Sequence, residues 1–139
     1  MLKRQPLFEF AILNKRFAEI ADECGADIFV DCEADLTCLS DAFNNNYKIK
    51  ALYLDEAQYS SYPYWVLSID NKACLMYEIN EGDIFIWVCY TEEEYRKSGQ
   101  MTKLFEYLKG IHSDKYITID TDKEYLKNLA LRFEIAVFR

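Results

Sequence analysis

The stretch DIFIWVCYT, residues 83–91, followed by EEEYRKSGQMT, residues 92–102, decides the fold of this chain. The first part is rich in aromatic and β-branched residues and predicts a strand, and residues 102–108 have the apolar spacing of a helix. A basic turn containing Gly99 joins the two. A helix that starts after such a turn leaves its first backbone N–H groups unpaired. Together with the helix dipole, these groups favour a phosphate or pyrophosphate.

Two other β-rich segments precede this strand. Tyr64–Asp70 and Ala73–Asn80 are strand-like, and short polar turns at residues 71–72 and 81–82 separate the three segments. Turns this short join adjacent antiparallel strands, so the sequence predicts an antiparallel β-meander over residues 64–91.

The elements after the basic turn alternate between helix and strand. The pattern predicts a helix ending at about Lys109, a strand Tyr116–Asp120, a helix Lys123–Arg132 and a final strand Glu134–Phe138. The predicted fold class is therefore α/β (α+β), with a mixed sheet in which a β-meander is followed by α-β-α-β and flanked by helices.

The first sixty residues are predicted to be rich in helix. Leu7–Cys24 has helical spacing, and Tyr47–Leu54 alternates like a strand after a turn at residues 44–46. Ile28–Val30 is either a short strand or part of a helical region that continues toward Leu36–Phe43.

Length and composition favour a single domain over residues 1–139, with a helix-rich part over 1–60 and the meander and core over 61–139. Of the 139 residues, 51% are hydrophobic, which is sufficient for a normal core. No apolar run approaches the roughly 20 residues that span a bilayer, so no membrane association is expected. Five cysteines without metal-ligand spacing are expected to be reduced thiols, which favours a cytoplasmic protein without a metal site.

The charge of the chain is acidic and unevenly distributed. The formal net charge is −8, and residues 21–60 hold nine acidic residues against two lysines, which accounts for −7 of it. Direct binding to nucleic acid is not expected, because duplex binding needs clustered Lys and Arg. Two interpretations stay open: a solvated acidic surface, or a surface that attracts a basic amine or a basic protein. A homodimer is also left open.

The order of the elements and the basic turn together resemble the Gcn5-related N-acetyltransferase (GNAT) superfamily. The acetyl-CoA loop of that family reads Arg/Gln-x-x-Gly-x-Gly/Ala, and this chain has Arg96, Gly99 and Met101 at the three defining positions. The turn also lies between the third meander strand and a helix, as in that family. The resemblance covers residues 64–139 and implies a GNAT-like sheet with acetyl-CoA as co-substrate.

The resemblance also implies which residues bind acetyl-CoA. The end of the third meander strand would contact the pantetheine arm, the loop and first helical turn would hold the pyrophosphate, and an asparagine on the last helix would bond a pantetheine amide. The missing side chain of Gly99 would let the backbone approach phosphate oxygens and adopt a positive φ. The expected cofactor-binding residues are Tyr90, Thr91, Arg96, Lys97, Ser98, Gly99, Gln100, Met101, Thr102 and Asn128.

Acetylation of an amine requires a group that takes a proton from the acceptor, and a proton donor assists the departing thiolate. In the family the base is often a carboxylate or water near the third meander strand, and the acid is often a tyrosine on the last helix. By alternation, Asp83 shares a face of its strand with the other odd-numbered residues up to Cys89. The expected catalytic residues are Asp83 and Glu78 as bases and Tyr125 as acid.

Other chemistries have no signature in the sequence. His112 is the one histidine, and it follows a helix end expected at Gly110, where an exposed side chain would be favoured by the helix dipole. Cys89 is predicted to be a buried strand thiol rather than a nucleophile.

The sequence therefore supports two functional hypotheses. The first is an acetyl-CoA-dependent N-acetyltransferase that acts on a primary amine of a basic small molecule, a protein lysine or a protein N-terminus. The second is a catalytically degenerate protein on the same scaffold that acts as an acidic protein-binding or inhibitory module. Three departures favour the second: Met101 replaces Gly or Ala, the family's tyrosine after Ala130 is missing, and glutamates 92–94 would repel a pyrophosphate unless they point into solvent.

Overall fold

In the computed structural model, the placement of residues 1–7, 9–10, 14, 19–20 and 64–138 is described. Within these ranges the chain forms a mixed α/β structure, as predicted. Its elements are β1 Leu2–Pro6, β2 Tyr64–Ile69, β3 Ala73–Asn80, β4 Asp83–Thr91, α1 Gln100–Ile111, β5 Tyr116–Asp120, α2 Glu124–Arg132 and β6 Ala136–Phe138.

The six strands form one sheet in the order β1-β2-β3-β4-β5-β6. The first four are antiparallel neighbours, which confirms the predicted meander of β2, β3 and β4. β4, β5 and β6 are parallel, and each parallel pair is joined through a helix. Both helices contribute side chains to one core on the same face of the sheet.

The geometry of the turn between β3 and β4 explains why the sequence predicts the meander. Glu81 and Gly82 have φ angles of 51° and 89°, the geometry of a two-residue type I′ hairpin turn. Between β2 and β3, Asp70 has a φ of 45° and Lys72 N–H donates to Ile69 O at 2.9 Å.

One strand and several boundaries differ from the prediction. Leu2–Pro6 forms a strand that the sequence does not suggest, because pairing with β2 defines it rather than its own polar composition. Helix α1 continues past Gly110 to Ile111, so the expected helix end at Gly110 is wrong. The last strand begins at Ala136 and not at Glu134, because Glu134 has a φ of 57°, which no strand residue adopts.

A β-bulge interrupts β4 at Trp87. Met76 pairs with Val88 and Tyr77 pairs with Ile86, so Trp87 is an extra residue opposite β3. Ile84 and Ile86 face the core beneath the helices, but beyond the bulge Cys89 faces that core. The predicted alternation from Asp83 to Cys89 along a single face is therefore wrong.

The sheet packs on both faces. The helix-side core is built around fully buried residues of the sheet and of α1, namely Leu67, Leu75, Tyr77, Ile84, Leu104, Phe105 and Leu108. The opposite-face core contains Leu7, Phe10, Ile20, Val66, Cys74, Met76, Val88 and Tyr90. Neighbouring residues of β4 thus serve different cores.

His112 is buried, not exposed as the sequence predicts. It follows α1, and its ring stacks edge-on against Tyr77 with 5.4 Å between ring centroids. The Tyr77 hydroxyl accepts from Arg4 Nε at 2.9 Å and lies 3.1 Å from His112 Nε2, to which it can donate. Burial lowers the pKa of His112 to about 4, and the charge of Arg4 acts in the same direction.

Acid is therefore expected to weaken the fold through His112. Unfolded His112 takes up a proton below its ordinary pKa of about 6.5, whereas the folded ring stays neutral until the pH approaches 4. The free energy of unfolding should fall by about 1–2 kcal/mol between those pH values because of this residue. Urea unfolding over that range measures the decline. The variant His112→Gln keeps an acceptor for Tyr77 but cannot titrate, so its curve should be flatter, and identical slopes would contradict the prediction.

Several predictions for the N-terminal part lie outside the described residues. They are the strand or helix at 28–30, the helical region 36–43, the turn 44–46, the strand 47–54 and the acidic segment 21–60. Of the predicted helix Leu7–Cys24, the described residues Leu7, Glu9, Phe10, Glu19 and Ile20 have helical backbone, whereas Asn14 does not. Among the helices in the described ranges, none is long and apolar enough to cross a bilayer.

Candidate functional site

The sheet forks between β4 and β5. The two strands pair only from Asp83 to Ile86 on β4 and from Tyr116 to Ile119 on β5. The last five residues of β4, 87–91, extend beyond this pairing, and the fork opens where the bulge bends the strand. The carboxyl ends of parallel strands are the usual place for a ligand in a sheet whose crossovers are helices.

A cavity of about 770 Å³ occupies this end of the sheet. Its walls come from the end of β4, the loop after it, the first turn of α1 and one face of α2. The described lining residues are Cys89, Tyr90, Thr91, Tyr95, Arg96, Lys97, Gly99, Gln100, Met101, Thr102, Lys123, Tyr125, Asn128, Leu129 and Arg132. Its size lies within the range of ordinary ligand pockets, about 300–1,000 Å³.

The cavity is basic although the protein is acidic. Four of the described lining residues are bases, Arg96, Lys97, Lys123 and Arg132, and none of them is acidic. The chain as a whole has a formal net charge of −8. A concave surface with one sign of charge concentrates ligands of the opposite sign, so the cavity favours an anion.

The backbone of the loop leaves a run of N–H groups without acceptors in the described part of the protein. Lys97 and Gly99 have φ angles of 65° and 80°, and the N–H groups of residues 97–102 donate to no other described residue. A β-carbon at Gly99 would meet no atom within 4 Å, so the positive φ, and not crowding by the protein, favours glycine there. Consecutive N–H groups in such a turn form a concave anion site.

Side-chain hydrogen bonds hold the loop in this shape. Arg96 Nε donates to Thr91 O at 3.0 Å, which ties the loop back to the end of β4. Ser98 Oγ donates to Tyr95 O, and Gln100 Nε2 donates to Ser98 Oγ at 3.3 Å. The buried Oε1 of Gln100 accepts no hydrogen bond from the described residues. An unsatisfied acceptor at the start of α1 is unusual in a native structure.

Met101 and the preceding glutamates do not obstruct the cavity. The side chain of Met101 is buried in the helix-side core, so this residue also anchors the first turn of α1. Glu93 and Glu94 are exposed on a 3₁₀ turn, and Glu92 accepts from the Tyr90 hydroxyl at 3.3 Å. None of the three glutamates lines the cavity.

The structure brings most of the predicted binding residues together. Nine of the ten residues expected to bind cofactor line the cavity, and the tenth, Ser98, is exposed and donates to Tyr95 O within the loop. Tyr125 also lines the cavity, with 60% of its surface exposed.

The two predicted bases lie elsewhere. Asp83 is at the start of β4, and Glu78 accepts from Trp87 Nε1 at 2.9 Å on the face opposite the helices. Neither lines the cavity. With a rise of roughly 3.3 Å per residue, the two ends of β4 are about 25 Å apart, which separates Asp83 from the loop.

Sequence reasoning missed two basic residues of the cavity, Lys123 and Arg132. Lys123 caps the start of α2, where its backbone N–H donates to Thr121 Oγ1 at 3.1 Å. Arg132 could have been found from helical spacing, because Tyr125, Asn128 and Arg132 are separated by three and four residues and share one face.

No protein-family model, curated protein or solved structure matches this chain. The charge, shape and unpaired donors of the cavity are therefore the observations that bear on function.

Proposed function

We propose that this protein binds acetyl-CoA in the cavity and transfers the acetyl group to a primary amine. The observation that carries the proposal is the basic cavity itself. It combines four basic side chains, no acidic residue among those described, and a run of unpaired N–H groups at a helix start. This combination suits a pyrophosphate better than a single carboxylate.

The phosphates and the pantetheine arm of acetyl-CoA would each contact a different part of the cavity wall. The loop and the first turn of α1 would hold the phosphates, with Lys123 and Arg132 supplying further charge from α2. Residues 87–91 of β4 continue beyond the pairing with β5, and the pantetheine arm would lie along this part of the strand. Asn128 would face that arm from α2.

In the transfer, the nitrogen of a neutral amine forms a bond to the thioester carbonyl carbon while the carbon–sulfur bond breaks. The acceptor nitrogen gives up one proton, and the CoA thiolate gains one. Tyr125 is the candidate for donating to the thiolate, because it lies on the cavity wall. Asp83 and Glu78 do not reach this wall, so water is the candidate for carrying the acceptor's proton away.

A second function is favoured by one observation. The described cavity wall contains neither a carboxylate nor a histidine, the usual bases for this reaction. A protein that binds CoA without transferring the acetyl group, and acts as an acidic binding or inhibitory module, is the alternative. Product analysis by mass spectrometry with acetyl-CoA and an amine would separate the two, since the alternative predicts binding without acetylated product.

Calorimetry with acetyl-CoA tests the proposal directly. We expect binding in the micromolar range that weakens with salt, because the cavity is basic. The double variant Lys123→Gln/Arg132→Gln should weaken binding about tenfold, a loss of about 1.4 kcal/mol. The control Lys109→Gln/Lys115→Gln changes the net charge equally with residues that do not line the cavity, and it should bind normally. No heat of binding and no shift in Tm with acetyl-CoA would refute the proposal.

A further inference from the structure

The face of β4 opposite the helices carries an aromatic pair next to a carboxylate. Phe85 and Trp87 are half-buried, and their rings meet edge-on with 4.6 Å between centroids at an angle of 64°. Trp87 Nε1 donates to Glu78 Oε1 at 2.9 Å. Glu78 is also the cross-strand neighbour of Phe85. The three side chains therefore form one cluster, which we call the aromatic–acidic platform.

All charged side chains of the hairpin that carries the platform are acidic. Residues 73–91 contain Glu78, Glu81 and Asp83 but no lysine, arginine or histidine. The cavity wall has the opposite sign, because Arg96 and Lys97 line it whereas glutamates 92–94 do not. An acidic hairpin and a basic cavity therefore lie at the two ends of β4.

The two surfaces meet at the fork. Trp87 is the bulged residue, and it directly follows Ile86, where pairing with β5 ends. Cys89, two residues farther along, already lines the basic cavity on the helix side. A group bound at Trp87 and a group bound in the cavity would approach the open edge of β4 from opposite faces of the sheet.

We infer that the aromatic–acidic platform binds the acceptor as a primary ammonium group on an alkyl chain. The inference depends on the proposed transfer for its role, and it extends that proposal by naming the acceptor's site. The face of an indole attracts a cation, and a carboxylate within reach adds a charge-assisted hydrogen bond. The basic cavity repels such a cation, so the platform is the complementary surface beside the fork.

Glu78→Gln isolates the charge of the platform. The glutamine keeps an oxygen that can accept from Trp87 Nε1, so the packing of the indole is preserved while the negative charge is removed. A Glu78 that only positions the indole would tolerate this change without an effect on amine binding. Glu106→Gln is the matched control, because it removes the same charge from an exposed position on α1.

Tryptophan fluorescence provides a readout that does not depend on turnover. The chain has two tryptophans, and Trp65 is buried with Arg4 Cζ 3.8 Å from its ring centroid. In the variant Trp65→Phe, the signal comes from Trp87 alone. Titration with cadaverine should change it saturably, and the uncharged pentanediol should not. In that background, Glu78→Gln should weaken cadaverine binding about tenfold, and Glu106→Gln should leave it unchanged.

Kinetics with cadaverine completes the test. In Glu78→Gln and in Trp87→Leu, the KM for the amine should rise about tenfold while the affinity for acetyl-CoA stays at the wild-type value. Equal cadaverine binding in Glu78→Gln and wild type, or a change that Glu106→Gln reproduces, would overturn the inference. Saturable, charge-dependent cadaverine binding in a protein that does not bind acetyl-CoA would support the platform and refute the proposed function.

Discussion

Gly99→Glu is expected to lower the affinity for acetyl-CoA at least about a hundredfold, a loss of about 2.7 kcal/mol. The substitution places a carboxylate on a cavity wall that now carries Arg96, Lys97, Lys123 and Arg132 and no described acid. It also puts a β-carbon on a residue whose φ is 80°, which tilts the loop away from the conformation that presents its N–H groups. Both effects act on the ligand's phosphates. Calorimetry and the shift in Tm with acetyl-CoA measure the loss.

Gly82→Glu is the matched control for this variant. Gly82 has a φ of 89°, its added β-carbon would also meet no atom within 4 Å, and it lies in the turn between β3 and β4. The two variants therefore share the backbone strain and the added charge but not the location. Wild-type affinity in Gly99→Glu, or an equal loss in Gly82→Glu, would show that the loop does not hold the ligand's phosphates.

Tyr77→Leu should lower the free energy of unfolding by about 3 kcal/mol or more. Tyr77 is fully buried in the helix-side core, and its hydroxyl joins Arg4 on β1 to His112 beyond α1. The substitution leaves a cavity, removes the ring contact with His112 and ends both hydrogen bonds. Native domains have only about 5–15 kcal/mol of stability, so the loss should be large in a urea or thermal unfolding experiment.

Two further variants separate the contributions to this loss. Tyr77→Phe keeps the ring but removes the hydroxyl that bonds Arg4 and His112, and it should cost about 1–2 kcal/mol. Tyr107→Leu changes a tyrosine that is 39% exposed and should cost less than about 0.5 kcal/mol. A loss in Tyr107→Leu equal to that in Tyr77→Leu would contradict the central position of Tyr77.

Elements that depend on local interactions could be predicted from the sequence, and elements that depend on contacts between distant segments could not. The turn at Glu81 and Gly82 uses residues that tolerate positive φ, so the hairpin was evident from its local sequence. β1 was not evident, because Leu2–Pro6 becomes a strand only by pairing with Tyr64–Ile69, some sixty residues away. The burial of His112 was missed for the same reason, since its partners come from distant strands.

The candidate site was predictable where its residues are consecutive. The loop from Arg96 to Thr102 has a recognisable pattern, and the structure places it on the cavity wall. Lys123 and Arg132 were missed because they reach the cavity only through the packing of α2 against the helix-side core. The positions of Asp83 and Glu78 on neighbouring strands predict that they are bases, but these positions do not reveal how far each residue lies from the loop.

The bulge at Trp87 changes which residues of β4 face the helix-side core, and therefore which substitutions each position tolerates. Before it, the even-numbered residues Ile84 and Ile86 must suit the core beneath the helices; after it, the odd-numbered Cys89 must. A saturation scan of β4 should therefore show that the positions that must fit the helix-side core change from even to odd numbers at residue 87, while Val88 and Tyr90 must fit the opposite-face core. A homologue that lacks one residue there would turn the side chain of Tyr90 toward the helix-side core and that of Cys89 toward the opposite-face core. A single deletion at this point would thus exchange the two cores that the end of β4 supplies.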